Sequence, residues 1–488
     1  MLSSLLFLSS EDKNEQFLTE DTLLDLKLDR LFTKRALGIL RRPCRKELIE
    51  AREELFYMLD YDTLETLIQY ADRLNDSRKR LCNATNEPVR LAVFLVMCVR
   101  YIELIEYSAA LEPKGTLFGR FVMSACDILR DERFVRLKSS IKNAREDIEG
   151  LKACAISAPP GKWLMHKPSG DENAAPKPDD GSEVIRCVKS LTGATLRYPS
   201  HVAHSPPAGV ITGIKKLCPD ELARLNEFAK ESAWIAGDGA LLLNELRFIK
   251  EIREFCDRLR ARNLPCCTPK IAEKRKIYAS DAIDGALTLK TADIVPNDLY
   301  FDEKEHLFFL TGANGGGKTT YLRSVGIITI LFLAGCPVPA VSAEIWPFKN
   351  VVTHFPYDER FEEGGRLADE IHRIDNIMEI ADSDTLVLLN ETFSGTDERK
   401  SERLIRETAE ELKRRGVFGV WVTHVHSFGE EILPALSVEV DENDSNRRTF
   451  KVIRKKAFSG SYARDILEKY GLAAEQLKRQ ERKALSAP

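Results

Sequence analysis

The stretch Gly312-Ala313-Asn314-Gly315-Gly316-Gly317-Lys318-Thr319 constrains the fold of this chain more tightly than any other part of it. It follows an apolar run at residues 306–310 and opens a long helix-forming run at residues 318–334. A strand, a glycine-rich turn and a helix in that order form an anion cradle, because unpaired backbone N–H groups and the helix dipole point at one place. The spacing G-x-x-x-x-G-K-T is the phosphate-binding loop, or P-loop, pattern. In it Lys318 contacts the β- and γ-phosphates of ATP and Thr319 ligates Mg²⁺. Gly312, Ala313, Asn314, Gly315, Gly316, Gly317, Lys318, Thr319 and Thr320 are therefore the expected nucleotide contacts.

The residues that follow keep alternating. Strands are expected at 385–389 and 417–422 and a helix at 398–415, which implies a parallel sheet covered by helices. The first of these strands runs into Asn390-Glu391, which places Glu391 to polarise the attacking water and both residues, with Thr319, beside the metal. Most sites of this kind carry aspartate before the glutamate. Asn390 can still accept from a metal-bound water but removes a charge, so weaker Mg²⁺ binding or slower turnover is expected. The plainer alternative for Glu391 is a helix cap or an ion pair. His424, just past the strand at 417–422, would look towards the γ-phosphate. A lone histidine is more often structural, so its role leans on the fixed order of loop, Glu391 and His424.

Upstream the texture differs. Residues 23–151 show helical periodicity with a break at Pro43, and Phe134, Leu137, Ile141, Ala144, Ile148 and Leu151 form a seam at alternating spacings of three and four. A single amphipathic core helix explains that seam equally well. Residues 157–213 are interrupted by Pro159-Pro160-Gly161, Pro168, Pro176, Pro178 and Pro206-Pro207, the composition of a flexible insertion with short strands at 184–188 and 195–198. A second helical zone at 219–262 lines Leu242, Leu246, Ile249, Ile252, Cys256 and Leu259 on one face, which suggests an antiparallel pair of helices flanking the insertion.

Charge and cysteine usage narrow the class. With 72 basic and 76 acidic residues the net charge is −4, so nucleic-acid contact would have to come from local patches. Eleven cysteines without a Cys-x-x-Cys pair argue against a zinc site or a disulfide framework. The longest apolar runs, 91–99 and 327–335, are about half of the roughly 20 residues needed to span a membrane. Residues 1–10 are apolar but lack a basic flank, which makes a poor signal peptide, and a cytoplasmic location is expected.

Five blocks now acquire a common meaning. Val295-Pro296-Asn297-Asp298, Thr311 to Arg323, Val338-Pro339-Ala340, Asn390-Glu391-Thr392-Phe393-Ser394-Gly395-Thr396 and Thr423-His424, with the tail Ser459-Gly460-Ser461-Tyr462, resemble the ATPase domain of MutS proteins. Transporter-type ABC ATPases share the glycine loop, but an SGGQ signature is lacking here and only 72 positions separate Lys318 from Asn390. The resemblance implies an α/β P-loop NTPase domain, ABC-type and MutS-like, at 290–488 with C-terminal dimerisation helices. Before it would come an N-terminal extension at 1–22, a mostly α-helical core and lever region at 23–156, a clamp-like insertion at 157–213, and a descending lever helix with connector at 214–289. By the same resemblance Gly364, Gly365 and Arg366 would touch the nucleotide of the other subunit of a homodimer, with Gly365 replacing the usual serine and Val341 standing where a glutamine is expected.

The insertion sits where the family carries its DNA clamp, and Lys189, Arg197, Lys215 and Lys216 could meet phosphates there, although a solvated loop explains them equally well. A Phe-x-Glu wedge is lacking near the start, so branched or duplex DNA is the expected partner rather than a mismatch. The expectation is a dimeric, ATP- and Mg²⁺-dependent DNA-binding ATPase. The alternative from another class is a nucleotide-gated protein-, RNA- or ribosome-interaction module with weak or no hydrolysis.

Overall fold

The computed structural model describes residues 1–9, 12, 18–152, 155–157, 164–166, 208–356, 366–393, 398–424, 432–440 and 448–454. In chain order the helices are α1 (Glu20–Asp25), α2 (Leu28–Leu31), α3 (Lys34–Leu40), α4 (Lys46–Met58), α5 (Tyr61–Asn83), α6 (Glu87–Ala110), α7 (Thr116–Arg130), α8 (Glu132–Lys152), α9 (Ala208–Leu217), α10 (Pro219–Glu231), α11 (Leu242–Arg260), α12 (Lys318–Leu333), α13 (Arg366–Ile380) and α14 (Glu398–Arg414). The strands are β1 (Ala155–Ser157), β2 (Leu164–His166), β3 (Lys270–Ile271), β4 (Ile277–Ala282), β5 (Asn297–Phe301), β6 (Leu307–Thr311), β7 (Ser342–Ile345), β8 (Asn350–His354), β9 (Thr385–Asn390), β10 (Phe418–Val422), β11 (Ala435–Val440) and β12 (Arg448–Arg454). Two compact units result. One holds residues 1–8 and 54–250, the other 9–53 and 251–488, so the boundary falls inside α4 and α11.

The first unit is helical. Asp60 and Asn86 cap α5 and α6 by accepting from the backbone N–H groups of Thr63 and Val89, and Pro88 occupies the first turn of α6, where its missing N–H costs nothing. All six residues of the expected seam on α8 are buried. The zone at 219–262 is two helices rather than one, parted by a 3-10 turn at Ala233–Ile235 and by Gly237-Asp238-Gly239. Arg224 of α10 pairs with Asp147 of α8, and a side chain at Gly150 would meet Glu221, so the two helices run antiparallel. The apolar start of the chain belongs to this core. Leu5 and Leu6 are fully buried, and the N–H groups of Leu2 and Leu5 donate to Asp238 and Glu245 at 2.8 Å each. The expected insertion at 157–213 is described at β1 and β2, an antiparallel pair, and at its end, where α9 begins at Ala208 and is helical rather than irregular, while the expected strands at 184–188 and 195–198, Lys189 and Arg197 lie outside the described residues. Lys215 pairs with Glu87 at 2.7 Å.

The second unit is α/β. Its six-stranded sheet has the order β12-β11-β6-β10-β9-β8, parallel except for β12, and the central strands β6, β10 and β9 are buried at every position, as cover by helices on both faces requires. A second sheet, β3-β7-β4-β5, is mostly antiparallel. Helix α12 packs against β9, β10 and β4, and residues 324–333 are buried all round. Residues 18–53 belong to this unit: Thr22 donates to the Val351 carbonyl, and Leu26 presses on Gly326 so closely that a Cβ there would lie 2.5 Å from its methyl group. Among the described residues no helix is long and apolar enough to cross a membrane.

Candidate nucleotide-binding site

Strand register assembles the site. Val422 of β10 stands beside Leu310 of β6 on one side and Asn390 of β9 on the other, so the three strands end in one row. The glycine loop, Glu391 and His424 all leave the sheet at its carboxyl edge, where open α/β sheets bind ligands.

The loop is shaped by its backbone. Gly312 has φ 132°, and a Cβ there would stand 2.9 Å from Cβ of Val438 on β11, so both its conformation and its surroundings require glycine. Gly317 caps α12 with no side-chain hydrogen bond to the N–H groups of its first turn. Lys318 is 5% exposed, and its ammonium donates to the carbonyls of Gly312 at 2.8 Å and Ala313 at 3.2 Å and to Oδ1 of Asn314 at 3.3 Å. Burial holds this lysine below its ordinary range, with Glu391 drawing it back up and Arg448 pushing it further down. A cation buried among carbonyl dipoles beside uncapped helix N–H groups suits a polyanion.

Across the row, Thr319 donates to Oδ1 of Asn390 at 3.3 Å, which joins the loop to the end of β9. Glu391 then turns with φ 54°, and His424 Nε2 lies 2.8 Å from its Oε1. Phe393 has φ 66°. Two non-glycine residues in the left-handed region within three positions mark a strained turn, the kind that persists when its surroundings hold it. Its supports are long-range: the Glu391 N–H donates to the Val422 carbonyl at 2.9 Å, Thr392 Oγ1 lies 3.0 Å from His354 Nδ1, and the Phe393 N–H donates to Glu370 Oε2 at 2.9 Å.

Of the residues named from sequence, Lys318, Thr319, Asn390, Glu391 and His424 are thus brought to one edge. Gly364 and Gly365 lie outside the described residues, Arg366 is known only as the start of α13, and Val341 is 59% exposed. Glu370 and Arg448 went unread. Glu370 had a visible signal: it shares the buried face of α13 with Ile374 and Ile377, and an acid on an apolar helical face needs a partner. Among the described residues no three His, Cys, Asp or Glu side chains gather as a metal site. Mg²⁺ here would instead rest on the hydroxyl of Thr319, the amide oxygen of Asn390, Glu391 and phosphate oxygens, a donor set that fits a hard cation.

The site falls within residues 308–486, which match the family model described as MutS domain V. The chain is 26% identical over 240 residues to the Endonuclease MutS2 of Streptococcus suis (strain 05ZYH33), a match covering 48% of this chain and 30% of that protein. It is 29% identical over 228 residues to the Endonuclease MutS2 of Thermus thermophilus, covering 45% of this chain and 29% of the relative. With the mitochondrial DNA mismatch repair protein MSH1 of Arabidopsis thaliana it shares 33% identity over 156 residues, 30% of this chain and 14% of that one. The chain therefore spans less than a third of the length of these relatives.

Proposed function

We propose, from the match of residues 308–486 to MutS domain V, that this chain is a MutS-family ATP-driven switch whose nucleotide state governs binding to DNA. The observation that carries this reading is the strand row that sets the buried ammonium of Lys318, folded into the glycine loop, beside Thr319 and Asn390 at one sheet edge. In it the loop from Gly312 to Thr320 and Lys318 bind the triphosphate, exchanging the ammonium's carbonyl contacts for phosphate oxygens. Mg²⁺, when bound, neutralises charge that builds between the β- and γ-phosphates. Glu391 accepts from the attacking water and aims it, while His424 holds the Glu391 carboxylate and meets the γ-phosphate oxygens.

The finer parts of the reading are an ABC-type homodimer, with Gly364, Gly365 and Arg366 acting on the partner's nucleotide, and a clamp at 157–213 that closes on branched or duplex DNA without selecting mismatches. Helices α4 and α11, which run through both units, would carry the nucleotide signal. The test is ATP affinity, turnover and salt-dependent gel shift on branched DNA, duplex DNA and structured RNA with wild type and Lys318→Ala. Nucleotide-dependent retention of DNA that Lys318→Ala abolishes is expected, and ATP affinity untouched by that substitution overturns the site. Asn390 favours a second reading, a nucleotide-gated RNA, ribosome or protein module that hardly hydrolyses, because the neutral amide removes a charge near the metal. ATP-dependent retention of RNA with no retention of DNA is its signature.

A further inference from the structure

The role given to Glu391 requires its carboxylate to be aimed, yet its backbone and that of Phe393 both sit in the left-handed region, which costs on the order of 1 kcal/mol or more per residue. Among the contacts described at this turn, those to the Val422 carbonyl and His354 come from the sheet itself. Another comes from outside it. Glu370, only 6% exposed on the second turn of α13, accepts from the Phe393 N–H at 2.9 Å. The ring of Phe393 is in turn locked in the core, with its centroid 6.3 Å from that of Trp421.

We infer that Glu370 is a positioning residue for hydrolysis: its carboxylate fixes the Phe393 N–H, and through it the turn that aims Glu391. The inference rests on the water-orienting reading of Glu391. It makes α13, which begins directly after Gly364-Gly365, an arm whose displacement would misaim the water without loosening the phosphates. The partners of the Lys318 ammonium all lie in the loop, so the grip on nucleotide does not pass through Glu370.

The experiment measures kcat for ATP and, separately, the Kd of a fluorescent ATP analogue, on the full chain carrying Glu370→Ala, Glu370→Asp, Glu370→Gln, Glu391→Gln, and Glu370→Ala with Glu391→Gln. Displacing a catalytic group by about 1 Å costs roughly 100-fold in rate. Glu370→Ala is therefore expected to lower kcat roughly 10- to 100-fold with Kd held within about threefold. Glu370→Gln keeps an acceptor oxygen and is expected to recover most of the loss. Glu370→Asp keeps the charge but shortens the reach, and is expected to fall between them, carrying the test if the alanine variant does not fold. In the Glu391→Gln background the alanine change is expected to add little, since residues acting as a unit are not additive. Equal loss of kcat and affinity in Glu370→Ala, a glutamine variant as poor as alanine, or a full additional loss on top of Glu391→Gln would each overturn the inference. If Glu391→Gln alone leaves turnover intact, the fault lies with the water-orienting reading, and the purpose assigned to Glu370 falls with it.

Discussion

The glycine loop and the turn at Glu391–Phe393 face each other across one edge of a sheet, yet they are built in opposite ways. The loop holds itself: Lys318 folds back on Gly312, Ala313 and Asn314, and its shape follows from glycines within six residues. The turn is held by others, through hydrogen bonds spanning 23 residues to Glu370 and 38 to His354. A loop whose lysine is held by its own carbonyls leans less on distant residues, whereas a turn braced from elsewhere in the chain responds to each brace. On the proposed function, nucleotide binding would therefore be the robust step, and hydrolysis the step that the rest of the unit can tune.

Substitutions on the two sides should separate accordingly. Glu391→Gln keeps the shape of the turn and removes the proposed base, so kcat is expected to fall about 10²- to 10⁴-fold while nucleotide affinity changes little. Single-turnover kinetics beside equilibrium binding checks this, and a large loss of affinity would break the division of labour. Lys318→Ala is expected to do the reverse, weakening ATP binding about 100-fold through loss of a charge-assisted contact worth roughly 2 to 3 kcal/mol. Equilibrium titration with a fluorescent analogue reads it directly, and affinity within a factor of two of wild type would contradict the cradle.

The same contrast explains what could be read from the sequence. The loop, the strand at 385–389 and the order of Lys318, Glu391 and His424 were legible because each rests on local spacing or on an unbroken apolar run. The parallel arrangement followed from alternation, and β6, β9 and β10 form where it placed them. The second sheet was not legible: β3 has two residues, and the order β3-β7-β4-β5 pairs segments far apart in the chain. The braces of the turn were hidden for the same reason. Nor does any local pattern show that Leu26 lies on Gly326, a contact across 300 positions.

Asp25 tests whether loop and turn share a support. Its carboxylate accepts from Thr353 of β8 at 2.6 Å and faces Arg373 of α13 at 3.9 Å, and its carbonyl accepts from Arg323 of α12 at 3.0 Å. One residue therefore touches the helix behind the loop and the helix that braces the turn. Desolvation by burial raises its pKa to about 6, against the lowering pull of Thr353 and Arg373. A carboxyl whose folded pKa lies above its unfolded value stabilises fully below the unfolded value, and that contribution is lost as pH rises through about 6. The share is on the order of 2 to 3 kcal/mol between about pH 4 and pH 7. Denaturant unfolding of Asp25→Asn should therefore lack this part of the wild-type pH slope, and an unchanged slope would show that the carboxyl titrates normally.

The smallest effect is expected where loop and turn meet, at the 3.3 Å contact between Thr319 and Asn390. Asn390→Asp restores an anion beside the metal at the cost of placing a second carboxylate next to Glu391, largely out of water. Without Mg²⁺ the two like charges repel, so the variant is expected to be less stable than wild type in chelator. With Mg²⁺ the repulsion becomes attraction, and the cation concentration for half-maximal nucleotide binding should fall about tenfold, or roughly 1.4 kcal/mol. If turnover rises in step, Asn390 acts as a brake on hydrolysis in an otherwise complete site. If affinity for the cation rises while turnover stays low, the limit lies in how Glu391 is aimed, and the braces of the turn rather than the charge at its base set the rate. An unchanged Mg²⁺ requirement would mean that Asn390 faces Thr319 alone and serves only to tie the loop to the turn.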